Sequence, residues 1–135
     1  MYSLLTILFL LFPPENQIKI IDPWVRPSSE KMATALYFTI ENSGSFADTL
    51  FAVSSDIAEK VELHETYSDG DMMGMRKTEM IVIGPDSSFE LKPGGYHIML
   101  MKLKEDINAG DEVEILLHFK VAGEINILAV SKKPS

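Results

Sequence analysis

Clusters of turn-forming residues punctuate this chain about every ten residues, and the stretches between them are short and rich in β-branched and aromatic side chains. Asn42-Ser43-Gly44-Ser45, Ser68-Asp69-Gly70-Asp71, Gly84-Pro85-Asp86-Ser87-Ser88 and Asn108-Ala109-Gly110-Asp111 are the clearest of these breaks. No convincing helical pattern lies between them. The runs read as strands over Gln17–Ile21, Met32–Glu41, Thr49–Ser54, Lys60–Tyr67, Phe89–Leu91, Tyr96–Leu103, Glu112–Lys120 and Glu124–Val130, with an extended pattern from Met72 to Ile83. This punctuation predicts an all-β fold, an antiparallel β-sandwich or barrel with Greek-key connections.

The alternation within two of these runs assigns faces. In Lys60–Tyr67, Val61 and Leu63 point one way while Lys60, Glu62 and His64 point the other, which puts the histidine on the polar side of a half-buried strand. In Glu112–Lys120, Val113, Ile115, Leu117 and Phe119 form the apolar face and leave His118 with Glu114. His118 reads as a surface histidine.

At 135 residues the chain is one domain by size. Residues 17–135 are expected to form it, with residues 1–16 as an export signal or N-terminal extension. The apolar run Tyr2–Phe12 has the length of a signal-peptide core and is too short to span a bilayer, although no Lys or Arg precedes it and no small-x-small cleavage site follows. The protein is accordingly expected outside the cytoplasm, periplasmic or otherwise exported, without a stable transmembrane anchor and as a monomer.

A net charge of -8 with no basic patch argues against nucleic acid as a partner. The chain has no cysteine, which excludes disulfides, zinc ribbons, thiol catalysis, a blue-copper thiolate and lipid attachment at an N-terminal cysteine. It has eight methionines, and Met72, Met73, Met75 and Met80 fall close together.

Two imidazole-thioether pairs stand out. His97 and Met99 are i and i+2 on a predicted strand and therefore share a face just beyond the Pro93-Gly94-Gly95 turn. If Asp69-Gly70 forms a two-residue hairpin turn, His64 stands opposite Met75 and Glu62 opposite Lys77, but Leu63 then stands opposite Arg76, which suits a buried face badly. A wider loop or a bulge is the alternative. Thioethers are soft and neutral, so a site of His64, Met75, His97 and Met99 favours Cu(I) over zinc, calcium or magnesium. All four lie near turns in this reading. Met73 shares the face of Met75 and is expected to support it rather than bind directly.

The spacing His64, ten residues, Met75, twenty-one residues, His97, one residue, Met99 resembles the H-x10-M-x21-H-x-M signature of the periplasmic copper chaperones called PCuAC. Trp24-Val25-Arg26, Ala35-Leu36-Tyr37-Phe38, Val61–Glu65, Leu91–Lys104 and Gly110-Asp111 are similar to that family as well, so the likeness runs from about Ile18 to Val130. Thr66 departs from it, since relatives often carry another methionine near the first histidine. The resemblance implies a cupredoxin-like β-sandwich that binds one Cu(I) through those four side chains and is not an enzyme. It also implies a copper-acceptor protein as partner, either a haem-copper oxidase subunit with its dinuclear copper centre or another copper carrier. Two rival classes are a zinc-dependent hydrolase using both histidines with Glu62 or Glu65, and a secreted β-sandwich that only binds protein. The first lacks the usual zinc-hydrolase helix motif, and the second leaves the spacing unexplained.

Overall fold

A computed structural model describes residues 17–134, so the expectation for Tyr2–Phe12 lies outside the described residues. The chain forms ten strands: β1 (Ile18–Val25), β2 (Thr34–Asn42), β3 (Asp48–Ser54), β4 (Ala58–Asp69), β5 (Met72–Lys77), β6 (Ile81–Ile83), β7 (Ser87–Glu90), β8 (Tyr96–Leu103), β9 (Glu112–Phe119) and β10 (Gly123–Ser131). Among the described residues no helix is long and apolar enough to cross a membrane. The fold is all-β and cupredoxin-like, as expected.

The strands follow the order β5-β4-β8-β2-β1-β10-β9-β3-β6, with β7 paired to β2 off this path. Pairing is antiparallel except where Trp24 and Val25 of β1 run parallel to Val130 and Ser131 of β10. The sheet wraps one core. Leu36, Leu63, Ile98 and Leu100 from the β2-β4-β8 half meet Leu50, Ile115, Leu117 and Phe119 from the β3-β9 half in a single buried cluster. The apolar faces assigned by alternation to β4 and β9 are the ones turned to the core, with Val61 partly buried against it and Leu63, Val113, Ile115, Leu117 and Phe119 buried in it.

Two elements differ from the sequence reading. β1 does not stop at Asp22-Pro23: the register with β2 shifts between Ile21 and Trp24, Asp22 takes a φ of 50°, and the strand resumes through Val25. A bulge absorbs the proline without ending the pairing. The Met72–Ile83 run divides into β5 and β6, because β5 pairs with β4 while β6 pairs with β3.

Candidate metal centre

β4 and β8 are neighbours, and their register places His64 directly opposite His97 and Glu62 opposite Met99. Because paired residues share a face, His64, His97 and Met99 all project from the side of the sheet away from the core, while Leu63 and Ile98 between them project into it. The two imidazole centroids are 5.8 Å apart. β2 continues this face: Ala35 pairs with Met99, and the Tyr37 ring lies 6.3 Å from that of His97 and 4.8 Å from Trp24.

The β4-β5 hairpin turns at Gly70-Asp71, not at Asp69-Gly70, so Asp69 pairs with Met72, Thr66 with Met75 and His64 with Lys77. Gly70 has a φ of 64°, at the first central position of the two-residue loop, where a II′ turn places glycine. The corrected register resolves the awkward pair. Arg76 faces Glu65, 2.6 Å from its carboxylate, and Leu63 accepts a backbone hydrogen bond from Thr78. His64 and Met75 are therefore diagonal rather than opposed. They nevertheless stay on one face, since moving each strand by one residue preserves the pleat parity.

Met75, His97 and Met99 line one depression of about 360 Å³, whose wall also includes Arg26, Thr66, Pro93 and Gly94. Met75 is 58% exposed on the edge strand β5, whereas His97 is only 3% exposed. The expectation that all four candidates sit beside turns does not hold for His64, which lies in the middle of β4 because that strand extends to Asp69 in order to pair with β5, nor for Met99, the fourth of the eight residues of β8. For His97 it does hold. Gly95 N donates to Lys92 O at 2.9 Å around Pro93-Gly94, with Gly94 at a φ of 85°, and this turn feeds β8 directly.

Each histidine has one ring nitrogen held and one free. His64 Nε2 lies 3.0 Å from Glu62 Oε1 and its buried Nδ1 has no partner; His97 Nδ1 lies 3.2 Å from Gly95 O and its buried Nε2 has no partner. Carboxylate and carbonyl acceptors draw the proton to the held nitrogen, which leaves a lone pair on the other. Burial lowers the His97 pKa, opposed by the Gly95 hydrogen bond and assisted by His64. The hydrogen bond with His64, aided by Lys60 and Lys77, holds Glu62 below the usual carboxylate range. Imidazole nitrogens without a hydrogen-bond partner, beside thioethers, make a donor set for a soft, monovalent cation.

Among the described residues no group of three His, Cys, Asp or Glu side chains could hold a metal ion. Glu65 faces away from His64, toward Arg76 and Tyr96, so a zinc site of two histidines and Glu65 does not assemble. A larger depression of about 480 Å³ holds Asp56, Glu105, Glu112 and Glu114 but none of the candidate ligands. Sequence reasoning missed Arg26 and Tyr37 in the wall of the site and the orienting contact of Glu62. The i, i+2 spacing of Glu62 and His64 was the signal available for that contact.

The fold is that of a small β-sheet domain of the PCuAC type. Residues 18–130 match the family described as "Putative lipoprotein LpqE-like", and the chain belongs to that family. It is similar to "Uncharacterized protein RP573" of Rickettsia prowazekii (strain Madrid E), 34% identical over 81% of this chain and 63% of the relative. The chain thus spans about three fifths of the length of the curated relatives it matches. Among solved structures it resembles the copper-bound PCuAC domain from PmoF2, with 28% identity and a TM-score of 0.74 over 90% of this chain and 97% of that one. It also resembles apo-DR1885 from Deinococcus radiodurans, with 26% identity and a TM-score of 0.68 over 90% of this chain and 83% of that one.

Proposed function

We propose that this protein is a copper chaperone that binds one Cu(I) through His64, Met75, His97 and Met99 and passes it to an acceptor outside the cytoplasm. One observation carries the reading most: two opposed histidines, each with an unpartnered buried nitrogen, share a face with two methionines. The copper-bound PCuAC domain among its structural neighbours supports the choice of metal, and the lipoprotein family description supports export.

The division of burial suits delivery. His97 is buried in the sheet, and Met75 stands at an exposed edge where an incoming donor reaches copper before the histidines release it. Nothing in this exchange requires a chemical step on a substrate, so the protein acts as a carrier and not as an enzyme. The acceptor is a copper protein with a stronger donor set, such as the dinuclear copper centre of a haem-copper oxidase. Competition with a chromophoric Cu(I) chelator tests the reading. A one-to-one complex in which Met75→Ile and Met99→Ile each lower affinity is expected; no such complex, or zinc bound more tightly than Cu(I), contradicts it.

A further inference from the structure

Arg26 follows β1 and is pinned by its backbone: its N–H donates to Ala35 O at 3.2 Å, and its carbonyl accepts from Thr34 Oγ1 at 2.8 Å. Its guanidinium carbon lies 5.6 Å from the centroid of the Tyr37 ring, and its Nε is buried without a hydrogen-bond partner. Arg76, by contrast, is neutralised by Glu65. Among the described residues Arg26 has no carboxylate partner, and it lines the same depression as Met75, His97 and Met99. On the other flank, Lys60 and Lys77 each lie 3.6 Å from Glu62, so its single negative charge is more than offset. The candidate centre is therefore locally cationic in a chain of net charge -8.

A site meant to accumulate divalent cations would carry the opposite field. We propose that Arg26 is a specificity-determining residue that makes this centre discriminate against divalent ions and hold a monovalent soft ion loosely enough to hand on. The inference rests on the copper-binding reading above. A fixed positive charge penalises a bound ion in proportion to the ion's own charge, so removing it helps a divalent ion twice as much, in logarithm, as a monovalent one. A ligand or packing effect has no reason to follow that ratio.

The test measures Cu(I), Ag(I) and Cu(II) affinities of the full chain by competition, for the wild type, Arg26→Gln, Arg26→Leu and Arg26→Lys. With an effective dielectric near that of other protein sites, removing the charge raises Cu(I) and Ag(I) affinity roughly tenfold and Cu(II) affinity roughly a hundredfold. Arg26→Lys keeps the wild-type ratio of monovalent to divalent affinity. Equal factors for Cu(I) and Cu(II) in both neutral variants overturn the proposal, as does Arg26→Lys behaving like Arg26→Gln. Should Arg26→Gln fail to fold, Arg26→Leu places an uncharged apolar side chain beside Tyr37 and carries the same comparison. A wild-type protein that forms no Cu(I) complex overturns the underlying reading, and this proposal with it; a normal complex with an unchanged ratio overturns this proposal alone.

Discussion

His64 and His97 occupy directly opposed positions on β4 and β8, with ring centroids 5.8 Å apart and opposite nitrogens left free, Nδ1 on one and Nε2 on the other. The histidines come from separate parts of the motif, so the β4-β8 ladder, not either strand alone, brings them together. His64→Ala and His97→Ala are each expected to weaken Cu(I) binding by at least about tenfold, the lower bound for losing even a supporting group of a metal site. The double variant is expected to lose less than the product of the two, because each imidazole works through the same ion. Competitive titration of the four proteins measures the cycle.

The hydrogen bond between Glu62 and His64 assigns the His64 proton to Nε2. Glu62→Gln is expected to release that preference and lower Cu(I) affinity by about tenfold to a hundredfold, with little loss of folding stability. Ring nitrogen chemical shifts of His64 in the apo-protein check the tautomer directly. An unchanged tautomer in Glu62→Gln would sink the assignment.

The depressed pKa of His97 links stability to pH. Burial is the main cause, and it favours the neutral ring in the folded state below the ordinary value of 6.5. The unfolded chain takes up the proton first on acidification, so this contribution is complete above about pH 6.5 and declines as pH falls below it toward the lower folded value. Melting of apo-protein between about pH 7 and pH 5 should therefore show a steeper loss in the wild type than in His97→Leu. Parallel curves contradict the assignment.

Gly74 lets the Tyr67 ring cross the edge strand. A Cβ at Gly74 would lie 2.8 Å from Tyr67 Oη and 2.9 Å from its Cζ, and the ring is capped by Arg76, whose guanidinium carbon is 4.7 Å from the centroid. Gly74→Ala is expected to cost about 1 kcal/mol through displacement of that ring, and the cost should vanish in a Tyr67→Ala background. Chemical denaturation of the two single variants and the double variant measures this coupling. Weaker Cu(I) binding should accompany Gly74→Ala alone, since Met75 is the next residue on the displaced strand.

Much of this architecture was legible in the sequence, for identifiable reasons. Tyr96–Leu103 and the apolar faces of β4 and β9 followed from pleat periodicity, which has one value and tolerates no drift. The hairpin register did not follow, because Asp69-Gly70 and Gly70-Asp71 are overlapping turn dipeptides and local sequence does not choose between them. The ill-matched Leu63 and Arg76 pair was the evidence against the first, and the Arg76–Glu65 ion pair is what the second provides. Moving the turn by one residue shifts the register by two, which changes the residue opposite His64 from Met75 to Lys77 but not the face it occupies.

Long-range pairing was beyond reach for a different reason. Nothing local to β4 says that it runs beside β8, or that β8 separates it from β2, so the opposition of the two histidines and the approach of Arg26 and Tyr37 arise from topology alone. The bulge that carries β1 past Pro23 is likewise set by its partner, since Trp24 and Val25 pair with both β2 and β10. Core packing behind the site depends on the same ladders. Ile98→Ala, between His97 and Met99 and fully buried, is expected to cost about 2–5 kcal/mol by denaturant unfolding.

The central claim is the ligand set, and X-ray absorption at the copper edge of the Cu(I)-loaded protein tests it most directly. A first shell of two nitrogen and two sulfur scatterers is expected in the wild type, with one sulfur in Met75→Ile or Met99→Ile and one imidazole in His64→Ala or His97→Ala. A first shell without sulfur, or one that Met75→Ile and Met99→Ile leave unchanged, would contradict it.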